Sequence, residues 1–269
     1  RIGEYELLSR IASGGMAEIH VARATSLPGV EKVVVIKRLL PQHQKQTDFI
    51  EMFMDEARIA ASLNHPNIVQ MYDFGPADDS YFMAMEYLHG EDLRTIQRLI
   101  LSQKKLVPLS HALTIVAAIC SALHHAHEAR AMDGTALQIV HRDVSPHNVF
   151  VTFDGAVKLV DFGIAKSKNR ASETRHGTIK GKVPYMAPEQ LRAETLDRRC
   201  DIYAMGVMLY ELTTGMRPYV LRAAGEFALM MAIARGQIRP PSELRPDYPP
   251  ELAEIVMKAL AKKPESRFQ

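Results

Sequence analysis

Residues 141–148 read HRDVSPHN and lie between two apolar stretches, ALQIV (136–140) and VFVTF (149–153). Neither a helical period nor strand alternation asks for an acid next to an arginine, or for an amide five residues further on. Such a polar island between apolar runs points to a loop whose side chains serve chemistry. Working outward toward the C-terminus, NVFVTFDGAVKLVD (148–161) places Asp154-Gly155 between two alternating runs, the strongest short signal for a hairpin. A two-residue turn there sets Phe153 opposite Ala156, Thr152 opposite Val157 and, counted back, Asn148 opposite Asp161. Directly opposed residues share a face, so this register delivers an amide oxygen and a carboxylate to one spot. Those are hard oxygen ligands of the kind magnesium takes, with phosphates and water completing the set. An ordinary hairpin with polar ends is the competing reading.

Further out, the chain changes texture near residue 88. Before it, EIHVARA and EKVVVIKRLL carry the β-branched residues of strands, LPG marks a turn between them, and SYFMAMEYL is a further strand. One helix interrupts, TDFIEMFMDEARIAASL, with Asp48 as its expected N-cap. Its apolar stripe runs through Phe49, Phe53, Ala57 and Ala60. Glu56 lies beside that stripe, and a half-buried carboxylate there requires a partner. After residue 88 the pattern is helical: SHALTIVAAICSALHHAHEA starting at the cap Ser110, DIYAMGVMLYELTTG, and ELAEIVMKALA.

Composition bounds the class. The 269 residues are 47% hydrophobic and 24% charged, with a net charge of +2. That is globular composition, too balanced to make nucleic acid or an acidic membrane surface the default partner. Cys120 and Cys200 stand far apart in apolar, helix-like surroundings and are expected to pack in a core, which suits a reducing compartment. No apolar run approaches the roughly 18 residues of a membrane span, and no signal peptide opens the chain. The chain begins without methionine and stops two residues after Arg267, so a domain from a longer protein is expected, one lacking its last helix.

Six motifs now stand in order: a glycine-rich turn between strands (IASGGMAEIHVA, 11–22), VVIK (34–37), DEARIA (55–60), HRDVSPHN, DFG (161–163) and APE (187–189). Together they resemble the eukaryotic-like protein kinase domain, and GGMAEI, HPNIVQMYDFG and YMAPEQ are most similar to its bacterial Ser/Thr branch. The resemblance spans nearly the whole chain. It implies an α+β, bilobal fold: a small antiparallel-sheet lobe with one helix over 1–88, and a larger, mainly helical lobe over 89–269. It implies transfer of the ATP γ-phosphate to Ser/Thr of protein substrates with Mg2+, or Mn2+ in its place.

Phosphoryl transfer asks for positioning and charge neutralisation more than covalent chemistry. By the resemblance, Lys37 holds the α- and β-phosphates, and Glu56 is the partner that fixes its ammonium. Asn148 and Asp161 bind the metal ions, and Asp143 orients the substrate hydroxyl. His141 packs beneath the loop. The glycine-rich loop, Ala12, Ser13, Gly14, Gly15, Met16 and Ala17, covers the phosphates. Ile11, Ile19, Val35, Phe150 and Val160 line an apolar slot for the base, with plain core packing as the competing reading for each. The backbone of Glu86 and Leu88 reads the adenine edge, Met85 backs the pocket, and Asp92 meets the ribose. Arg142 awaits a phosphate on the activation segment, where Thr178 is the first candidate and Thr174 and Ser172 are alternatives; a phosphate there adds nearly two negative charges. Glu189 with Arg267 matches a structural ion pair, and Asp201 matches the aspartate that ties down the catalytic loop.

Three departures matter. The usual G-x-G-x-x-G is here Ala12, Gly14, Ala17, and alanine disfavours the positive φ that glycine permits. Ser145 replaces a lysine that touches the γ-phosphate, and Lys182 replaces a threonine before YMAPE. A compensated exchange, Lys182 restoring the charge lost at Ser145, stands beside a plain weakening of position 145. The second functional reading is accordingly a pseudokinase, a nucleotide-sensing or scaffolding module. Partners expected are protein substrates, ATP and a second copy for trans-autophosphorylation, with a cytoplasmic setting.

Overall fold

The β-branched residues concentrated along Ala17–Ala24 and Lys32–Leu39 favour paired strands, and the computed structural model has them. It describes residues 1–25, 31–77, 80–162, 183–219 and 225–269. The LPG turn, Lys182, Ser172, Thr174 and Thr178 lie outside the described residues, as does the glycine of DFG.

The chain divides into two units, one comprising Arg1–His89 with Phe162, the other Gly90–Asp161 with the described residues from Val183 onward. In the first unit, β1 (Tyr5–Ser13), β2 (Ala17–Ala24), β3 (Lys32–Leu39), β4 (Met71–Ala77) and β5 (Ser80–Glu86) form an antiparallel sheet in the order β1-β2-β3-β5-β4. Residues at alternate positions share a face. One face buries Val34, Ile36, Ala22, Phe82 and Ala84 with Tyr5 and Ile2. The other presents Leu39 and Met83, which pack with Ala17 against Phe53 and Ala57 of α1 (Thr47–Ser62). Of the expected stripe of α1, Phe53 and Ala57 are buried, Phe49 packs at the margin and Ala60 is partly exposed, while Met52 joins the buried face. Its N-cap is Gln46 rather than Asp48, which sits in the first turn, where a carboxylate complements the helix dipole without capping it.

In the second unit, β6 (Gly90–Asp92), β7 (Val149–Thr152) and β8 (Val157–Leu159) form a small sheet. Helices α2 (Leu93–Ser102), α3 (Leu109–His127), α4 (Pro188–Leu191), α5 (Arg199–Thr214), α6 (Glu226–Arg235), α7 (Pro241–Leu244) and α8 (Pro250–Ala259) supply the rest. From Tyr203 to Thr214 every residue of α5 is buried, as expected of a helix apolar on all sides, and α3 and α8 pack on it. Gly215 closes α5 with a left-handed φ of 73°. α3 starts one residue before the expected cap: Pro108 takes the cap position and Ser110 lies inside, its carbonyl accepting from Thr114 Oγ1. By length and composition alone α3 could cross a membrane, since its isoleucine, valine, leucine and alanine residues raise the average although serine, threonine and histidine interrupt the run. Its buried side chains, among them Ile119 and Leu123, instead line the unit's core. Cys200 is buried as expected, but Cys120 is exposed.

The hairpin register differs from the expected one. Val149 pairs with Leu159, Phe150 with Lys158 and Val151 with Val157. Thr152 N donates to Ala156 O and Gly155 N to Thr152 O, so the loop holds three residues, Phe153, Asp154 and Gly155, with Gly155 at φ 92°. This is a turn closed by a left-handed bulge residue, the other use of Asp-Gly at a hairpin. One extra loop residue moves every pair by one: Asn148 faces Val160, whose N donates to Asn148 O, and not Asp161. No atom lies within 4 Å of the Cβ position at Gly155, so the backbone angle alone resists a side chain there. Gly155→Ala is expected to cost about 1–2 kcal/mol, seen as a lower denaturant midpoint, while Gly155→Asn costs less.

Candidate active site

In the first unit, Lys37 occupies the central strand β3, opposite Ile19 on β2 and Met83 on β5. Central placement buries it to 8% exposure, which rules out an edge-strand surface lysine. Its Nζ donates to Glu56 Oε1 at 2.5 Å, and Glu56 is buried to 7%. The half-buried carboxylate of α1 thus has the cation it required. The register puts Ile19, Val35 and Met85 on the face of the sheet that carries Lys37, and all three remain partly exposed beyond the α1 contact. Ile11 is more than half exposed. Glu86 N donates to Gln70 O, and its Oε1 accepts from Gln70 N. Leu88 follows β5, partly exposed.

The loop from Ser13 to Ala17 closes with Gly14 N donating to Ala17 O at 2.8 Å. Gly15 carries the carbonyl that contacts His43 Nε2, and Met16 O accepts from Leu40 N. Neither Ala12 nor Ala17 has positive φ: both lie in strands, Ala12 opposite Ile19 and Ala17 opposite Leu39. Neither alanine is therefore held in a backbone conformation that favours glycine.

In the second unit, the loop 141–148 is fixed from outside itself. Asp201 on α5 accepts from Arg142 N at 2.8 Å and from His141 N at 2.9 Å, and its Oδ2 also meets His127 Nε2 at 2.9 Å. Gln190 Nε2 donates to Arg142 O while its Oε1 accepts from Ala187 N. Both sides of Arg142 are thereby pinned, which sustains its φ of 64°, a strained value for a bulky residue. Arg142 Nε is buried without a partner among the described residues. Asn148, in the 3-10 turn Pro146–Asn148, donates through Nδ2 to Asp143 O at 2.8 Å and Oδ2 at 3.0 Å. The amide is thus oriented and its Oδ1 faces away from Asp143. Asp161 follows β8 at φ 54°. Ser145 is buried, and its Oγ has no partner among the described residues.

Phe150 and Val160 are partly buried, and Val160 O contacts His141 Nε2 at 3.2 Å. Asp92 caps α2, accepting from Thr95 N and Thr95 Oγ1. His141 is fully buried; Asp143 N approaches its Nδ1 at 3.3 Å. Burial pushes its pKa below 6.5 despite the opposing charge of Asp201. A neutral buried histidine with a depressed pKa stabilises fully above about pH 6.5, and that stability is lost as pH falls toward the folded-state pKa. Thermal midpoints are expected to fall between pH 7 and pH 5, and less steeply in His141→Asn.

Glu189 and Arg267 form a two-pronged pair at 2.6 and 2.8 Å. The remaining guanidinium N–H groups reach Ala261 O, Arg199 O and Lys262 O. Three contributors escaped the sequence reading: Gln190, His127, and the Arg94–Glu211–Arg217 cluster around Tyr185. The first two follow recognisable motif letters, APEQ and HHAH. The third joins residues as far as 117 positions apart, and no local signal marks it.

Among the described residues, no group of three or more His, Cys, Asp or Glu is placed to hold a metal. An amide oxygen such as Asn148 Oδ1 and a carboxylate such as that of Asp161 are of the donor type that hard divalent ions take alongside phosphate oxygens.

A sheet with a buried lysine–glutamate pair, and a polar loop clamped by an aspartate from the core helix, stand at the positions the motifs mark. The protein kinase domain family model matches residues 5–269, and the chain belongs to that family. It is 48% identical to Tyrosine-protein kinase MasK of Myxococcus xanthus over 99% of this chain and 41% of that protein. It is 38% identical to Serine/threonine-protein kinase PrkC of Bacillus subtilis, over 99% and 39%. Among solved structures, the Mycobacterium tuberculosis PknI kinase domain superposes with a TM-score of 0.70 at 28% identity, covering 100% of this chain and 92% of that one. The chain spans about two fifths of the length of these curated relatives. Family membership implies ATP use with a divalent metal ion.

Proposed function

We propose that this chain transfers the γ-phosphate of Mg-ATP to serine or threonine of protein substrates. The observation that carries the reading is the pair of preorganised sets: Lys37 with Glu56, and Asp143 with Asn148, all buried and mutually bonded within their units. Lys37 holds phosphate oxygens, kept in place by Glu56. Asn148 Oδ1 and Asp161 present oxygens to Mg2+, which when bound neutralises charge developing on the phosphates. Asp143 accepts the substrate hydroxyl's proton and aims its oxygen. Ile19, Val35, Met85, Phe150 and Val160 offer apolar surface to the base. Arg142, with its unpartnered Nε, is the proposed receptor for a phosphate on Thr178 or Thr174. Lys182 is proposed to supply the charge absent at Ser145. Two unpaired thiols fit a cytoplasmic setting. A second copy of the chain is the proposed partner for trans-autophosphorylation.

Incubation with Mg-ATP tests this: autophosphate accumulates in the wild type and not in Asp161→Asn. Phosphoamino-acid analysis separates acceptors. Phosphotyrosine alone would overturn the serine/threonine choice and align the chain with the name borne by MasK.

A further inference from the structure

Glu211, on α5, is buried, yet it serves three donors. Tyr185 O–H donates to its Oε2; Arg94 NH1 on α2 and Arg217 Nε, just beyond α5, each donate to Oε1 at 3.1 Å. The arginine side chains are 26% and 27% exposed against 6% for the glutamate. Arg217 also lies over the Tyr185 ring at 5.5 Å. Burial, and then the charge of Glu211, push the Tyr185 phenol upward, so it stays neutral and adds no anion. Two guanidinium groups thus share one carboxylate and leave one positive charge over. Most of their N–H groups meet no acceptor among the described residues. A planar guanidinium with unused, partly desolvated donors binds carboxylates and phosphates through paired charge-assisted hydrogen bonds.

The cluster's position gives the charge a use. Tyr185 lines one small cavity with Arg142, Asp143, Val144, Met186 and Gln190. The two arginines therefore stand one tyrosine away from Asp143. A peptide whose hydroxyl meets Asp143 advances roughly 3.3 Å per residue when extended, so its neighbouring side chains pass within reach.

We propose that Arg94 and Arg217 form an anion subsite that selects protein substrates carrying a negatively charged side chain within about three residues of the phosphoacceptor. This rests on the kinase reading above and names its substrate class. Aspartate or glutamate and a previously phosphorylated residue share the required chemistry.

A set of peptides with one common acceptor tests it, with alanine, glutamate, phosphoserine or lysine placed in turn at each of the nearby positions. At one position, glutamate or phosphoserine is expected to raise kcat/KM about tenfold or more over alanine, in line with a charged hydrogen bond. Lysine lowers it, and the better of the two anions identifies the source. Arg94→Gln and Arg217→Gln, which keep a donor for Glu211, each cut the preference, with the loss in KM for the anionic peptide. Added KCl raises that KM selectively in the wild type, an arm that needs no variant. Equal use of alanine, glutamate and phosphoserine peptides, or a preference that survives both substitutions, overturns the subsite. Autophosphorylation with no anionic preference overturns the subsite alone; no transfer to any peptide or to the chain itself overturns the kinase reading and the subsite together.

Discussion

Asp143→Asn is expected to lower phosphate transfer by roughly 10^2–10^4-fold while leaving the thermal midpoint in place. The side chain accepts from Asn148 Nδ2, and an asparagine oxygen can do the same, so the loop keeps its shape. What the substitution removes is the negative charge and the basic lone pair offered to the substrate hydroxyl. Rapid-quench measurement of one turnover, read beside a melting curve, separates chemistry from folding. Turnover within a factor of a few of the wild type would show that Asp143 has no part in the transfer. Loss of the fold alongside activity would move its role to structure.

Arg267→Met is expected to give the largest loss of stability, about 3–5 kcal/mol. Arg267 is almost wholly buried, and its five bonds satisfy all five of its N–H groups. Without it, the buried Glu189 loses its hydrogen-bonded cation, and three backbone carbonyls lose their donor. In a domain of this size that amounts to a fall in melting temperature on the order of 10 °C. Removing both partners together, Glu189→Met with Arg267→Met, should recover part of the loss, because the isolated charge is the costly species. A double variant no more stable than the single one would locate the cost in the carbonyls instead. Catalytic constants per folded molecule should change little.

The parts of the site that were legible in the sequence are those written locally. Lys37 carries its apolar strand neighbours with it, and Glu56 its place beside a helical stripe, so burial of each was legible locally, while their pairing came from the family resemblance. The hairpin was legible as a hairpin, but Asp-Gly serves two-residue and three-residue loops alike, and the choice between them depends on bonds such as Thr152 N to Ala156 O. Caps failed similarly: Asp48 and Ser110 are good capping types, each displaced by a residue or two from a boundary that the chain's entry angle decides. The alanines of the phosphate loop sit in strands without positive φ, a placement their motif position did not announce. Glu211 with Arg94 and Arg217 was illegible, because each looks like an ordinary charge until tertiary packing gathers them.

The hold of Asp201 on residues 141 and 142 bears on how this enzyme class varies. A buried helix sets the position of the loop's main chain through one carboxylate, with Gln190 bracing the other side. Beyond these anchors the loop is tied by its own bonds, Asn148 Nδ2 to Asp143 and Asn148 N to Ser145 O, and none of them uses the side chain at 145. Position 145 can therefore exchange a cation for a small hydroxyl without displacing the acid two residues before it or the amide three residues after, leaving lineages room to redistribute charge around a backbone that stays still.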